Sequence, residues 1–124
     1  MIELRREYGK IRLLLQAIPM GQDWNVAITG GEVPHLGAVA IGVPRPSMEN
    51  PEKVSATVSL FTLTGHKEDD IVRPAAALLA GSLNASVVVS CGIHMEQIIP
   101  DEIQQVLFLV EELLAEFLAT QNSK

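Results

Sequence analysis

The chain has one cysteine, Cys91, in 124 residues. That count excludes an internal disulfide and fits a reducing compartment, so the expected location is cytoplasmic. No apolar run reaches the roughly 18 residues of a membrane-spanning helix. Met1 leads into alternating charge, which is not the basic-then-apolar pattern of a secretory signal. Charge itself is sparse, at 19% of residues. A surface so poor in charge leaves apolar patches for another chain to cover, and a homo-oligomer is the expectation. Positive charge is scarcest, with 9 Lys and Arg against 15 Asp and Glu. The basic residues are scattered or confined to Arg5, Arg6, Lys10 and Arg12, which argues against nucleic-acid binding and against polybasic docking on a membrane. The expected ligand is therefore small. There is no internal repeat and no low-complexity segment, and residues 1–124 are expected to form one domain with a sizeable core.

What is present is a series of strand patterns followed by helical ones. From Ile2 to Ile18 the sequence is strand-like, with Ile11, Leu13, Leu15 and Ala17 on one side, and "PMGQD" supplies a turn. "WNVAIT" is expected to pair with it as a hairpin, with Trp24, Val26 and Ile28 inward. "LGAVAIGV" reads as a third strand, with Val39, Ile41 and Val43 on one face and Ala38, Ala40 and Gly42 on the other. That small-residue face is flat enough for a helix, or a planar ligand, to approach the backbone. After the proline-rich loop "PRPSMENPEK", the run "VSATVSLFTL" alternates Val54, Ala56, Val58 and Leu60 against Ser55, Thr57 and Ser59. A helix then extends to about Asn84. Glu68, Asp69 and Asp70 suit its positive end, and Pro74 places its regular part no earlier than about Asp70. "SVVVSCGIH" is a short buried strand, and Pro100 and Asp101 open a final helix. On that helix Phe108 projects among Gln104, Glu111 and Glu112, away from the apolar stripe, as a candidate subunit contact. The order predicts an α+β fold: a largely antiparallel sheet of about five strands with two helices packed on one face.

The three histidines each fall at the end of a predicted strand with a glycine nearby: His35 in "GGEVPHLG", His66 in "LTGHKEDD" and His94 in "CGIHMEQ". Glycines serve where the backbone turns sharply or approaches a ligand, and loops on a rigid scaffold commonly carry function. The three rings are expected to line one concave site. Each also has a plain structural reading: His35 in a turn after Pro34, His66 as a helix cap, His94 bonded to backbone.

Three chemistries could use these rings. Zinc accepts imidazoles, with Glu96 or Cys91 as a further ligand, but no local spacing is a metal signature. A nucleophilic Cys-His pair fails in "CGIH", because residues i and i+3 of an extended segment point to opposite faces. Anion recognition is the third. Thr64, Gly65, His66 and Lys67 precede a helix, so backbone N–H groups, a hydroxyl, an imidazole and an ammonium could converge on a phosphate or carboxylate. The segment is not a Walker loop, since GxxxxGK[ST] is missing.

"GGEVPHLGAVAIG", "LTGHKED" and "GIHMEQIIPDEI" together resemble the LpdD-like family, small accessory subunits of UbiD-type hydroxyarylic-acid decarboxylases described as prenylated-flavin chaperones. The resemblance covers roughly residues 24 to 106. It implies a non-catalytic protein that binds prenylated FMN, or FMN, and assists cofactor delivery to a UbiD-like decarboxylase or its maturation. The positions carried over are Gly30, Gly31, Pro34 and His35 in the first block, Gly65, His66, Lys67 and Glu68 in the second, with Thr64 beside them, and His94 and Glu96 in the third. It implies no catalytic residue and no bound metal. Two other readings of the residues stand beside it: a small metal-dependent enzyme using His35, His66 and His94, and a purely structural subunit that docks on the decarboxylase through the last helix.

Overall fold

The computed structural model describes residues 1–63, 68–94 and 96–122. Its elements in chain order are β1 (Ile2–Tyr8), β2 (Ile11–Met20), β3 (Asp23–Gly31), β4 (Ala38–Pro46), β5 (Val54–Thr62), α1 (Asp69–Leu83), β6 (Val87–His94) and α2 (Pro100–Asn122). The strands form one sheet in the order β1-β2-β3-β6-β4-β5. The α+β class holds, with two corrections. There are six strands rather than five, because the run from Ile2 to Ile18 is broken at Gly9, whose φ of 58° makes the turn into a β1–β2 hairpin. The sheet is mixed, because β6 lies parallel to β3, with Trp24 beside Val87 and Gly31 beside His94. All other neighbouring pairs are antiparallel. The parallel pair requires a crossover connection, and the chain between β3 and β6 supplies it with β4, β5 and α1.

The core lies between one face of this sheet and the two helices. Ile11, Leu13, Leu15 and Ala17 of β2, Val26 and Ile28 of β3, and Val87, Val89 and Cys91 of β6 are buried there with Leu79, Leu113 and Phe117 of the helices. Trp24 meets Phe117 edge-on, with ring centroids 5.0 Å apart. The small face of β4 receives a helix, as its residues suggested. Ala38 and Ala40 are fully buried, and a side chain on Gly42 would run into the Ala76 carbonyl of α1. The helix begins at Asp69, which puts Pro74 early in its second turn, and Asn84 ends it in the left-handed conformation. The opposite face of the sheet is uncovered by any described element. On it Ile41, Val43 and Phe61 are exposed, as is Phe108 on α2. Among the described residues no helix is long and apolar enough to cross a membrane.

Candidate functional site

Two loops and a strand end converge at one end of the sheet. The segment 32–37 leaves β3 and folds over the end of β6, held by three backbone bonds: Glu32 N–H to the His94 carbonyl at 2.7 Å, Gly37 N–H to Cys91 O at 2.8 Å, and Leu63 N–H to Gly37 O at 2.9 Å. Glycine permits each close approach. Gly31 has a φ of 77° and its missing side chain makes room for the His94 carbonyl. Gly92 lies directly under the main chain of His35, and a Cβ there would collide with the His35 carbonyl. The glycines of "GGEVPH" and "CGIH" therefore serve one contact from its two sides.

Glu68, just before α1, is the buried acid beneath this loop, 7% exposed. Its Oε1 lies 3.2 Å from His35 Nε2 and accepts the Ile93 N–H at 3.4 Å, while its backbone carbonyl accepts the Ile71 and Val72 N–H groups of the first helical turn. The other ring nitrogen of His35, Nδ1, is 3.2 Å from the Val33 carbonyl. Both nitrogens of His35 thus face acceptors, so this ring is committed to the loop. His94 differs. Its ring stands edge-on to that of His35, centroids 6.0 Å apart, and Nε2 lies 3.0 Å from Glu96 Oε1, but the ring is nearly half exposed. His94 Nδ1 has no hydrogen-bond partner among the described residues. Cys91, buried one pleat below, has its thiol pushed up to about 12 by burial and then by the Glu68 charge, so it remains a protonated, inert thiol at neutral pH.

Beside the histidine pair is a groove of about 270 Å³ on the uncovered face, lined by Arg5, Glu7, Arg12, Leu14, Thr29, Gly30, Gly31 and Pro34 among others. The β1–β2 hairpin builds its basic wall, because the register sets Arg12 opposite Glu7 and Arg5 opposite Leu14, which puts both guanidinium groups on one face. Both are largely exposed, and their ion pairs are loose, at 3.6 Å from Arg5 to Glu3 and 4.0 Å from Arg12 to Glu7. Two strongly basic groups beside glycine backbone suit a planar ligand with an anionic tail, since guanidinium can bind phosphate in bidentate fashion.

The structure therefore brings together Gly30, Gly31, Pro34, His35, Glu68, His94 and Glu96 from the sequence reading. Glu68 faces the loop from beneath and not the groove. Thr64, Gly65, His66 and Lys67 lie outside the described residues. Arg5, Arg12, Gly37 and Gly92 were not singled out from the sequence as site residues. The two arginines could have been found by counting in twos from a turn at Gly9. Among the described residues no three His, Cys, Asp or Glu side chains form a cluster that could hold a metal.

The arrangement is a mixed sheet covered on one face by two helices, with the segment 32–37 and the ends of β3 and β6 gathered at one rim. Residues 7–122 match the family of prenylated flavin chaperone LpdD-like domains, and the chain belongs to that family. The family is one of chaperones, not enzymes. The fold is also similar to a solved structure titled a novel chaperone complex for yeast 20S proteasome assembly, with 14% identity over 94% of each chain and a TM-score of 0.57. At that identity the likeness is one of fold alone. A search of curated proteins gave no match.

Proposed function

We propose that this chain binds prenylated FMN, or FMN, in the groove between Arg12 and Pro34, and presents it to a UbiD-like decarboxylase in the cytoplasm without chemistry of its own. The observation that carries the reading is the groove itself. Arg5 and Arg12 supply the cationic end for a flavin phosphate, and Gly30, Gly31 and Pro34 offer a wall with little side chain; His94 stands outside the lining, on the strand position paired with Gly31. The size of the groove adds a functional point. Pockets that enclose a drug-sized ligand run to about 300–1,000 Å³, whereas this one holds about 270 Å³. A flavin here keeps part of its surface outside the chain, which suits a protein that hands its ligand to another. Thr64, Gly65, His66 and Lys67 are kept in the proposal as a second anion contact on the strength of their sequence.

The test is to purify the chain after co-expression with a flavin prenyltransferase and record its absorption spectrum. Flavin should co-purify with the wild type, and far less with Arg12→Glu. Adding the loaded chain to a decarboxylase lacking cofactor should then restore decarboxylation faster than free flavin does. A chain that never retains flavin yet still binds the decarboxylase, and loses it on Phe108→Glu, would establish the purely structural subunit instead.

A further inference from the structure

The two outer strands of the sheet are guarded very differently. β1 carries Glu3, Arg5, Arg6 and Glu7, charges of the kind that discourage an edge from pairing with another chain. β5, at the opposite edge, reads VSATVSLFT, nine residues without a charge or a proline. It has no bulge either, pairing residue for residue with β4 from Val54 beside Pro46 to Thr62 beside Ala38. Its outer row of backbone groups has no neighbouring strand among the described residues. Next to this edge, on the helix side, a groove of about 430 Å³ runs between Val54, Ser55 and Ala56 and the residues Ala77, Leu78, Gly81 and Ser82 of α1. Gly81 lies across it from the Val54 carbonyl.

We propose that β5 pairs with β5 of a second copy, antiparallel about a twofold axis through Val58, joining the two sheets into one. The sequence of the strand is complementary to itself in this register. Val58 meets its own copy, Thr57 meets Ser59, Ala56 meets Leu60, Ser55 meets Phe61 and Val54 meets Thr62. The two largest side chains, Leu60 and Phe61, each face a small one, and this centre alone overlaps all nine residues. Phe61, 71% exposed in the single chain, lies over the partner's Ser55 on the uncovered face. On the helix side the partner's Leu60 lies beside Ala56, at the groove, where the exposed Leu78 offers it an apolar contact. No like charges meet, which is what an uncharged strand contributes to self-pairing. A foreign strand would need none of this symmetry, and a contact about a twofold axis closes at the dimer.

Sedimentation measurements on designed pairs test the contact. The wild type should be a dimer. Thr57→Glu with Ser59→Glu sets acids opposite one another twice and should raise the dimer dissociation constant at least about tenfold, while Thr57→Glu with Ser59→Lys sets opposite charges across the axis and should restore it. Both variants should keep the far-UV circular dichroism of the wild type, since Thr57 and Ser59 are exposed. Val58→Cys should form a covalent dimer on oxidation, because opposed residues in antiparallel strands lie within disulfide reach, and Cys91, 1% exposed, will not compete. A monomeric wild type, a double-acid variant that stays dimeric, or a Val58→Cys chain that does not cross-link would each overturn the proposal, whether or not any other variant folds.

Discussion

The carboxylate of Glu68 occupies the space that a side chain on Gly37 would fill. The loop carrying His35 is thereby fitted onto a buried acid, and the acid in turn holds the ring of His35 and the N–H of Ile93. Gly37→Ala should therefore lower stability by about 1–3 kcal/mol through overpacking. Glu68→Ala should cost a similar amount, about 1–3 kcal/mol, by leaving buried donors unmet. Combined, the two changes should cost less than their sum, because the second removes the group that the first strikes. Urea unfolding of the two single variants and the double variant checks this, and strict additivity would refute the contact.

The two histidines should separate stability from binding. His35, with both nitrogens facing acceptors, is a loop residue, so His35→Ala should lower the melting temperature of the ligand-free protein. His94→Ala should leave that temperature nearly unchanged and weaken flavin binding, since its ring is exposed and its Nδ1 faces no described partner. Thermal melts beside flavin titrations distinguish them, and the opposite assignment of effects would reject the reading of the pair.

If Arg12 meets the flavin phosphate, Arg12→Glu should weaken binding by about 1–3 kcal/mol, by loss of a charge-assisted bond and gain of repulsion. Its largely exposed side chain makes only a 4.0 Å contact with Glu7, so stability should change by less than about 0.5 kcal/mol. Lys67→Glu provides the comparison. A loss of affinity confined to Lys67→Glu would move the phosphate from the β1–β2 hairpin to the "TGHK" segment.

The buried thiol sets an alkaline limit. The pKa of Cys91 is raised in the folded protein from 9.0 to about 12, so the folded state keeps a proton that the unfolded chain releases. The resulting stability is complete below pH 9 and is lost as pH rises from 9 toward 12, by up to about 1.4 kcal/mol per pH unit. Denaturant midpoints measured from pH 8 to pH 10.5 should fall for the wild type and fall less for Cys91→Ala. Iodoacetamide at neutral pH should label Cys91 only after unfolding.

Much of the architecture was legible from side-chain alternation. The helix-facing rows of β2, β3 and β4 and the exposed Phe108 follow from which side of a pleat or helix each residue occupies. The hairpin turn at Gly9 was missed because Glu7, Tyr8, Gly9 and Lys10 hold no aliphatic residue, so no apolar alternation marks where one strand stops. The parallel placement of β6 could not be read because "SVVVSCGIH" has one apolar face, Val87, Val89 and Cys91, and no charged residue to set its direction or its neighbours. The gathering of His35 and His94 was anticipated from their glycines. The role of Glu68 was not, since a helix-start acid gives no sign in sequence that it will be buried under a loop from thirty residues earlier. Arg5 and Arg12 were read only as part of the sparse positive charge, and their shared face went unseen for the same reason as the turn that pairs them.

The position of β6 also dictates when the binding rim can exist. β1 to β3 and the β4–β5 pair are hairpins of near neighbours in the chain, whose short loops close early and at small entropic cost. The segment 32–37 connects the two groups, but its fixing bonds go to the carbonyls of Cys91 and His94, which a growing polypeptide has not yet made when the hairpins are complete. A chain ending before Val87 holds both hairpins and no rim. The segment that places Pro34 at the proposed groove is thus fixed by the last strand to enter, so if flavin binds there, any slowing of that entry should delay flavin binding behind the appearance of β-structure.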